Sequence, residues 1–265
     1  MAGFDRSLKY QIGLFYAGQA NLTELHSIGK TMSACPPGVS RFGFRLGVPT
    51  QQTLAVQTPG GQMSVPVVIW KAGSGVWEVV MGPERLDVFF DARGYQDLTD
   101  EEVGFQSVRA RVLPGLLAAI KTLGIGAYRV AGVINGECSC EETTRSPSEI
   151  VVGRYVKPPF DEGDVPDVGV RINCRDAWNL GGATPTTINR ISTLEAVYLF
   201  GPDGTAATSL KWQADVNTAP EALLAVSFED ESIEKFFDLA TTWLDVEKQD
   251  VLDSLRDDED AGTGG

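Results

Sequence analysis

The chain has 265 residues and a formal net charge of −14, with 43% hydrophobic and 22% charged residues. This length is enough for one large domain or two ordinary ones, and the composition excludes disordered, fibrous and collagen-like proteins. No apolar run approaches the roughly 20 residues that span a bilayer, and the N-terminus lacks a secretory signal pattern, so we expect a cytoplasmic protein.

Most of the negative charge lies in the C-terminal third of the chain. Residues 181–265 contain 17 acidic and 5 basic side chains, whereas the first 60 residues are mildly basic. A negative field opposes contact with phosphate groups, which supply most of the affinity of proteins for nucleic acids. Direct nucleic-acid binding is therefore not expected, and neither is a membrane partner.

The first 75 residues predict strands around one short helix. LKYQIGLFY (residues 8–16) predicts a strand, and NLTELHSIGKTMSA predicts a helix that ends at Cys35-Pro36-Pro37-Gly38. Three alternating segments, SRFGFRLGV, TLAVQT and MSVPVVIWKA, predict further strands. Arg41 and Arg45 share one face of the first segment, and they form either a solvated face or a ligand-binding pair.

A β-β-α-β unit is predicted between Val76 and Gly136. Gly82-Pro83-Glu84-Arg85 separates two β-rich runs and predicts a hairpin turn. Thr99-Asp100-Glu101-Glu102 has the pattern of a capping box and predicts the start of a long helix, which Pro114 should kink or split. AYRVAGVING then predicts a returning strand.

The best candidate for a linker is KPPFDEGDVPD, residues 157–167, which contains three prolines and four acids. It separates an N-terminal α+β half (1–156) from a C-terminal α+β half (168–256), and an acidic tail (257–265) is predicted to be disordered. VGVRINC, TINRISTLEAVYLFG and TSLKWQADVN predict strands in the second half. The predicted fold class is α+β, with antiparallel sheets, long helices packed on one face of each, and two similar halves as one option.

The closing helix, predicted to begin after Ser227, is strongly amphipathic. Its apolar stripe comprises Ile233, Phe236, Phe237, Ala240, Leu244, Val251 and Leu255. The opposite face carries acids that do nothing for the core and repel one another. We therefore predict that this face binds a partner through Glu231, Glu234, Asp238, Asp245 and Asp253.

Several stretches together resemble a sporadically distributed family of uncharacterised bacterial proteins of similar length. They are WEVVMGPERLDV, the strand that ends in VING, KWQADV, and FEDESIEKFFDLAT in the closing helix. This chain departs from the Arg-Tyr-Ile-Asn variant of that family at Val133-Ile134-Asn135. The resemblance implies no established activity, and it assigns no functional residue.

No metal, cofactor or catalytic residue is predicted. Cys138-Ser-Cys140 places two thiols on one side of a strand, but a closed zinc site needs four ligands, and the only histidine, His26, is far away in sequence. A Ser-His-Asp or Cys-His catalytic arrangement would also have to use His26, and the nucleophile motif G-x-S-x-G is absent. An enzyme that uses paired carboxylates depends on spatial neighbours and stays open as an alternative.

The preferred function is therefore a non-catalytic interaction protein that binds another protein, such as a toxin or a defence-system component, through its sheet and its acidic closing helix. One alternative is an acidic nucleic-acid mimic that inhibits a DNA-binding protein. The other is an enzyme of unknown type that uses carboxylates. The oligomeric state is left open.

Overall fold

The computed structural model describes residues 8–16, 32, 46–58, 61–72, 75–93, 104–139, 146–155, 168–200, 206–219 and 227–255. Within these ranges the strands are β1 (Leu8–Tyr16), β2 (Thr50–Thr58), β3 (Gly61–Lys71), β4 (Trp77–Met81), β5 (Arg85–Asp91), β6 (Ala127–Ser139), β7 (Gly169–Trp178), β8 (Thr186–Phe200) and β9 (Ala206–Thr218). The helices with described bounds are α1 (Phe105–Leu123), α2 (Pro147–Tyr155) and α3 (Asp230–Leu255).

The nine strands form one sheet in the order β2-β3-β4-β5-β1-β6-β9-β8-β7. Every neighbouring pair in this sheet is antiparallel. Strands β6 and β9 pair over nine residues, from Ala131↔Asn217 to Ser139↔Ser209. This pairing joins strands from the two predicted halves of the chain.

The predicted fold class was wrong. We expected an α+β arrangement of antiparallel sheets, each with long helices on one face, and two similar halves as one option. The structure instead has a single large antiparallel sheet, and strands account for more of the described chain than the three helices do. The physical reason is that β6 and β9 would be edge strands in two separate sheets, with unpaired backbone groups. The β6–β9 ladder pairs these groups and so joins the strands into one sheet.

Predictions that rest on local turn chemistry were more successful. The Gly82–Arg85 turn joins β4 and β5, with Gly82 N donating to the Arg85 carbonyl at 2.8 Å. Strands β8 and β9 also form an antiparallel pair, as the turn signal after Phe200 predicted. Helix α1 begins at Phe105, later than the predicted capping box, and it continues through Pro114 without splitting.

Several predicted features lie outside the described residues. These are the capping box itself, the linker at 157–167, the acidic tail at 257–265, and the side chains of His26, Cys35, Arg41, Arg45 and Cys140. The division into two domains therefore stays a prediction.

The core lies on one side of the sheet. Alternate residues of β1, such as Tyr10, Ile12 and Leu14, are fully buried there, and α3 lies against β6 and β9. The other side of the sheet, which we call the polar face, is built by the intervening residues, among them Gln11, Phe15, Asp87, Arg129, Asn135, Asp215 and Asn217. No helix in the described part of the chain is long and apolar enough to cross a membrane.

Candidate functional site

Helix α3 is fixed to the rest of the molecule by its apolar stripe. Six residues of the predicted stripe are confirmed as buried, each at most 3% exposed: Ile233, Phe236, Phe237, Ala240, Leu244 and Val251. The side chain of the seventh, Leu255, lies outside what the structure describes. The Phe236 ring lies 5.8 Å from the Trp178 ring and 5.1 Å from the Phe237 ring. Contacts with the core therefore fix the rotation of the helix about its own axis. This rotation determines which residues of the helix face outward.

Basic side chains from two other helices hold α3 along its length. Near its start, Lys121 at the end of α1 forms an ion pair with Asp230. Further along, Arg109 of α1 has Nη1 2.5 Å from Asp238 Oδ1. At the far end, Arg154 of α2 donates to the Asp250 carbonyl and to Ser254 Oγ. These contacts attach α3 to α1 and α2 along its length.

All five predicted partner-binding acids lie on the outward side of α3, spread along its length. Glu231, Glu234, Asp238, Asp245 and Asp253 are all exposed. Two of them also have contacts within the fold, since Asp238 pairs with Arg109, and Asp253 Oδ1 accepts a hydrogen bond from Gln249 at 2.8 Å. Partial desolvation raises the pKa of the Asp245 carboxyl.

Sequence reasoning missed the apolar residues on the same side of the helix. Leu239 is 39% exposed and Val246 is 53% exposed, and Trp243 between them is only partly buried. Positions i, i+4 and i+7 follow one edge of a helix, so the three side chains form a strip. The sequence does contain a signal for this strip, because these three apolar residues recur at helical spacing but do not belong to the buried stripe.

The outer face of α3 thus has two borders. Successive residues of a helix are rotated by about 100° around its axis, so residues at these spacings fall into two rows. Leu239, Trp243 and Val246 form an apolar border along one side of the outer face. Glu234, Asp238 and Asp245 form an acidic border along the other side. Thr242 and Gln249 lie between them. We call this surface, from Glu231 to Asp253, the outer helix face. It is about 33 Å long.

The polar face of the sheet contains a partly buried ionic cluster that the sequence did not predict. Arg85 and Asp87 of β5 form an ion pair, with Nε 2.6 Å from Oδ2. Gln11 Nε2 donates to Asp87 Oδ1 at 2.8 Å. Gly13 lies beside this carboxylate, and a β-carbon there would come within 2.8 Å of Oδ1. Asp87 is only 8% exposed, so its charge depends on these partners.

A second group of polar contacts continues the cluster across β6 and β9. The guanidinium groups of Arg85 and Arg129 lie 4.4 and 4.7 Å, respectively, from the centroid of the Phe15 ring, so both make cation–π contacts with this ring. Arg129 also donates to Asn217 Oδ1 at 3.1 Å, and Asn217 donates to Asp215 Oδ1 at 2.8 Å. The contacts of this cluster hold the carboxylates of Asp87 and Asp215 in place. We therefore assign the cluster to stabilisation of the polar face.

The buried carboxyl of Asp87 predicts an unusual dependence of stability on pH. Burial raises its pKa, although the charge of Arg85 and hydrogen bonds from Arg85 and Gln11 oppose this shift. The folded protein therefore binds this proton more tightly than the unfolded chain does. As pH falls from neutral toward about 3.9, wild type should gain stability relative to Asp87→Asn. Chemical denaturation of both proteins at several pH values measures this difference.

Asp91 on the same strand is the matched control. Partial burial raises its pKa, but hydrogen bonds from the Arg93 side chain and backbone together lower it by a larger amount, so the net shift of the pKa is downward. Wild type should therefore lose stability relative to Asp91→Asn as pH falls below about 3.9. The interpretation of Asp87 is wrong if both variants show the same sign of change.

A cavity of about 370 Å³ opens on the polar face near the end of β6. Its charged groups are three cations and two carboxylates, and amide and hydroxyl side chains line the remainder. The charged and polar lining residues are Lys9, Arg93, Lys211, Glu137, Glu195, Asn135, Thr193 and Gln213. Part of this lining is already hydrogen-bonded, since Gln213 donates to Asn135 and Ser209 donates to Glu137.

Metal binding has no candidate site within the described ranges, because no group of three or more histidine, cysteine, aspartate or glutamate side chains comes together there. Cys174 on β7 is exposed and is a free thiol. The side chain of Cys138 lies outside what the structure describes.

Comparison with known proteins identifies no family. No protein-family model matches the sequence, and no curated protein matches it. Among solved structures, the chain is similar to the di-domain ARO/CYC StfQ from the steffimycin biosynthetic pathway, with 10% sequence identity. The alignment covers 93% of this chain and 96% of that one, but the TM-score is 0.22. A TM-score this low does not establish a common fold.

Proposed function

We propose that the protein is a non-catalytic cytoplasmic protein that binds another protein through the outer helix face. The observation that supports this proposal is the exposed apolar border of α3 beside an acidic border. Leu239 and Val246 remain in contact with solvent on a helix whose opposite side is fully buried. A partly buried tryptophan between two aliphatic side chains, with charged groups around them, is typical of the centre and rim of a protein interface.

The chemistry of the surface defines the partner. The apolar border requires an apolar groove or pocket, and the acidic border requires basic side chains next to it. Such complementarity accelerates association and selects the partner, while the buried apolar contacts supply most of the affinity. The partner is therefore a basic protein with an apolar groove, and its binding should weaken as the salt concentration rises.

The test uses the partner that co-purifies with the protein from its native host. Leu239→Ser with Val246→Ser should raise the Kd at least about tenfold, which corresponds to about 1.4 kcal/mol. Glu234→Lys with Asp245→Lys should also weaken binding, mainly at low salt. Binding is measured by titration calorimetry, and circular dichroism checks that each variant is folded.

The matched control changes the same amount of charge elsewhere. Glu84 and Glu195 are exposed and lie away from α3, so Glu84→Lys with Glu195→Lys alters the net charge equally without touching the outer helix face. This control should bind like wild type. Wild-type affinity in both α3 variants would refute the proposal. Displacement of the partner by duplex DNA would instead support the nucleic-acid mimic.

A further inference from the structure

The β2–β3 hairpin differs in charge from the rest of the molecule. Residues 46–70 contain no charged side chain, and this is the longest uncharged stretch in a chain whose net charge is −14. Thr50 to Ala55 of β2 are all exposed, and so are Gly61 to Ser64 of β3. The distal part of the hairpin is therefore a two-stranded ribbon that extends beyond the core.

A ribbon of this kind is marginally stable by itself, because two strands without a packed face bury little apolar surface. Leu54 is 39% exposed and Met63 is 53% exposed, so both keep apolar surface in water. In the described part of the chain, β2 pairs with β3 alone and forms one edge of the sheet. None of the described strands pairs with its outer edge, and an edge of this kind can accept another strand.

The opposite edge of the sheet is protected in the usual way. Strand β7 carries Arg171, Arg175 and Asp176, and all three are exposed. Charged side chains on an edge strand prevent it from pairing with other chains. Strand β2 has no charge and no proline, so the protein protects one edge and leaves the other suited to pairing.

The sequence of β2 identifies what pairs with it. The two ends of TQQTLAVQT are symmetric about Leu54, because Thr50 and Gln51 at one end match Thr58 and Gln57 at the other. The inner pairs, Gln52 with Val56 and Thr53 with Ala55, differ but are all uncharged. An antiparallel strand pair centred on Leu54 would place Thr50 opposite Thr58, Gln51 opposite Gln57, and Leu54 opposite itself. We propose that β2 pairs with β2 of a second copy of this chain, which makes a symmetric dimer with one continuous sheet.

Electrostatics supports a second copy at this surface. Two chains of net charge −14 repel each other, and the repulsion is smallest where both contribute an uncharged surface. Opposed threonine and glutamine side chains can hydrogen-bond across an antiparallel pair, and opposed leucines exclude water from each other. A nine-residue strand of about 30 Å provides the length for this ladder.

Sedimentation equilibrium tests the dimer. Wild type should have twice the chain mass of 28.5 kDa at micromolar concentration. Leu54→Lys places two like charges opposite each other and should yield the single-chain mass. Ile172→Lys is the matched control, because Ile172 is 38% exposed on the opposite edge strand, compared with 39% for Leu54. The control should remain a dimer.

A disulfide test keeps the proposal falsifiable if Leu54→Lys fails to fold. Directly opposed β-carbons in an antiparallel pair are about 4.5–5.5 Å apart, close enough to form a disulfide after a small adjustment. Leu54→Cys should therefore cross-link two chains on mild oxidation, whereas wild type, with its exposed Cys174, should not. Hydrogen exchange at residues 50–58 should be slow in the dimer.

Three results would overturn the proposal. The first is a wild-type protein that remains a single chain throughout. The second is a dimer that survives Leu54→Lys and does not cross-link through Leu54→Cys. The third is a dimer that Ile172→Lys dissociates as well, since the interface would then lie elsewhere. A different protein found on β2 of an otherwise monomeric chain falls under the first result.

Discussion

Replacing Phe236 and Phe237 together with alanine is expected to unfold the protein at room temperature. Both side chains are 0% exposed, and they lie where α3 meets the sheet. Each Phe→Ala change in a core costs about 3–5 kcal/mol, whereas the whole folded state of a typical domain is stable by only about 5–15 kcal/mol. The two losses together are comparable with the total.

Circular dichroism and thermal melting measure this effect. The matched control is Leu239→Ala with Val246→Ala on the outward side of the same helix, where both side chains already contact solvent. Surface changes of this kind usually alter stability by no more than about 0.5 kcal/mol. A cooperative melting transition near the wild-type temperature in the double phenylalanine variant would show that α3 does not support the core.

The second large effect is expected at Gly136. This residue lies opposite Trp212 in the β6–β9 ladder, and the indole covers the space that a side chain would occupy. A β-carbon at position 136 would fall on Nε1 and Cε2 of the indole and would lie 2.7 Å from Cζ2. Trp212 is 4% exposed and cannot move into solvent without loss of its burial. Gly136→Ala should cost about 1–3 kcal/mol, and Gly136→Val more.

Urea denaturation of two further variants isolates this steric effect. Gly169→Ala is the control, because its β-carbon would meet only Glu195 Cγ, at 3.7 Å. Trp212→Leu should reduce the cost of Gly136→Ala, since the smaller side chain leaves room for the methyl group. If Gly136→Ala costs the same free energy in wild type as it does in the Trp212→Leu variant, the steric explanation is contradicted.

The two proposed interactions use different parts of the sheet. Helix α3 lies against β6 and β9, whereas β2 is separated from β6 by β3, β4, β5 and β1. A dimer formed through β2 therefore leaves the outer helix face accessible on each chain. Two copies of the face in one assembly would bind a repetitive partner more tightly than a single chain could. Leu54→Lys should weaken such binding without altering the outer helix face.

Local patterns in the sequence predicted several elements correctly. The buried stripe of α3 follows the 3.6-residue period of a helix, and the period alone identifies which residues face the core. The turn at Gly82–Arg85 depends on residues whose backbone preferences act over four positions. Such features depend on neighbours in the chain, so they can be recognised before the fold is known.

Most of the strands, the amphipathic character of α3 and the acidic surface of its outward side could thus be read from the chain without its fold. The union of all strands in one sheet could not, because the β6–β9 pairing links residues that are about 80 positions apart and no local pattern specifies it. The same pairing brings Arg129 to Asn217, and the β1–β5 pairing brings Gln11 to Asp87. Cross-strand register decides which side chains become neighbours, and register follows from the burial of one whole face of the sheet.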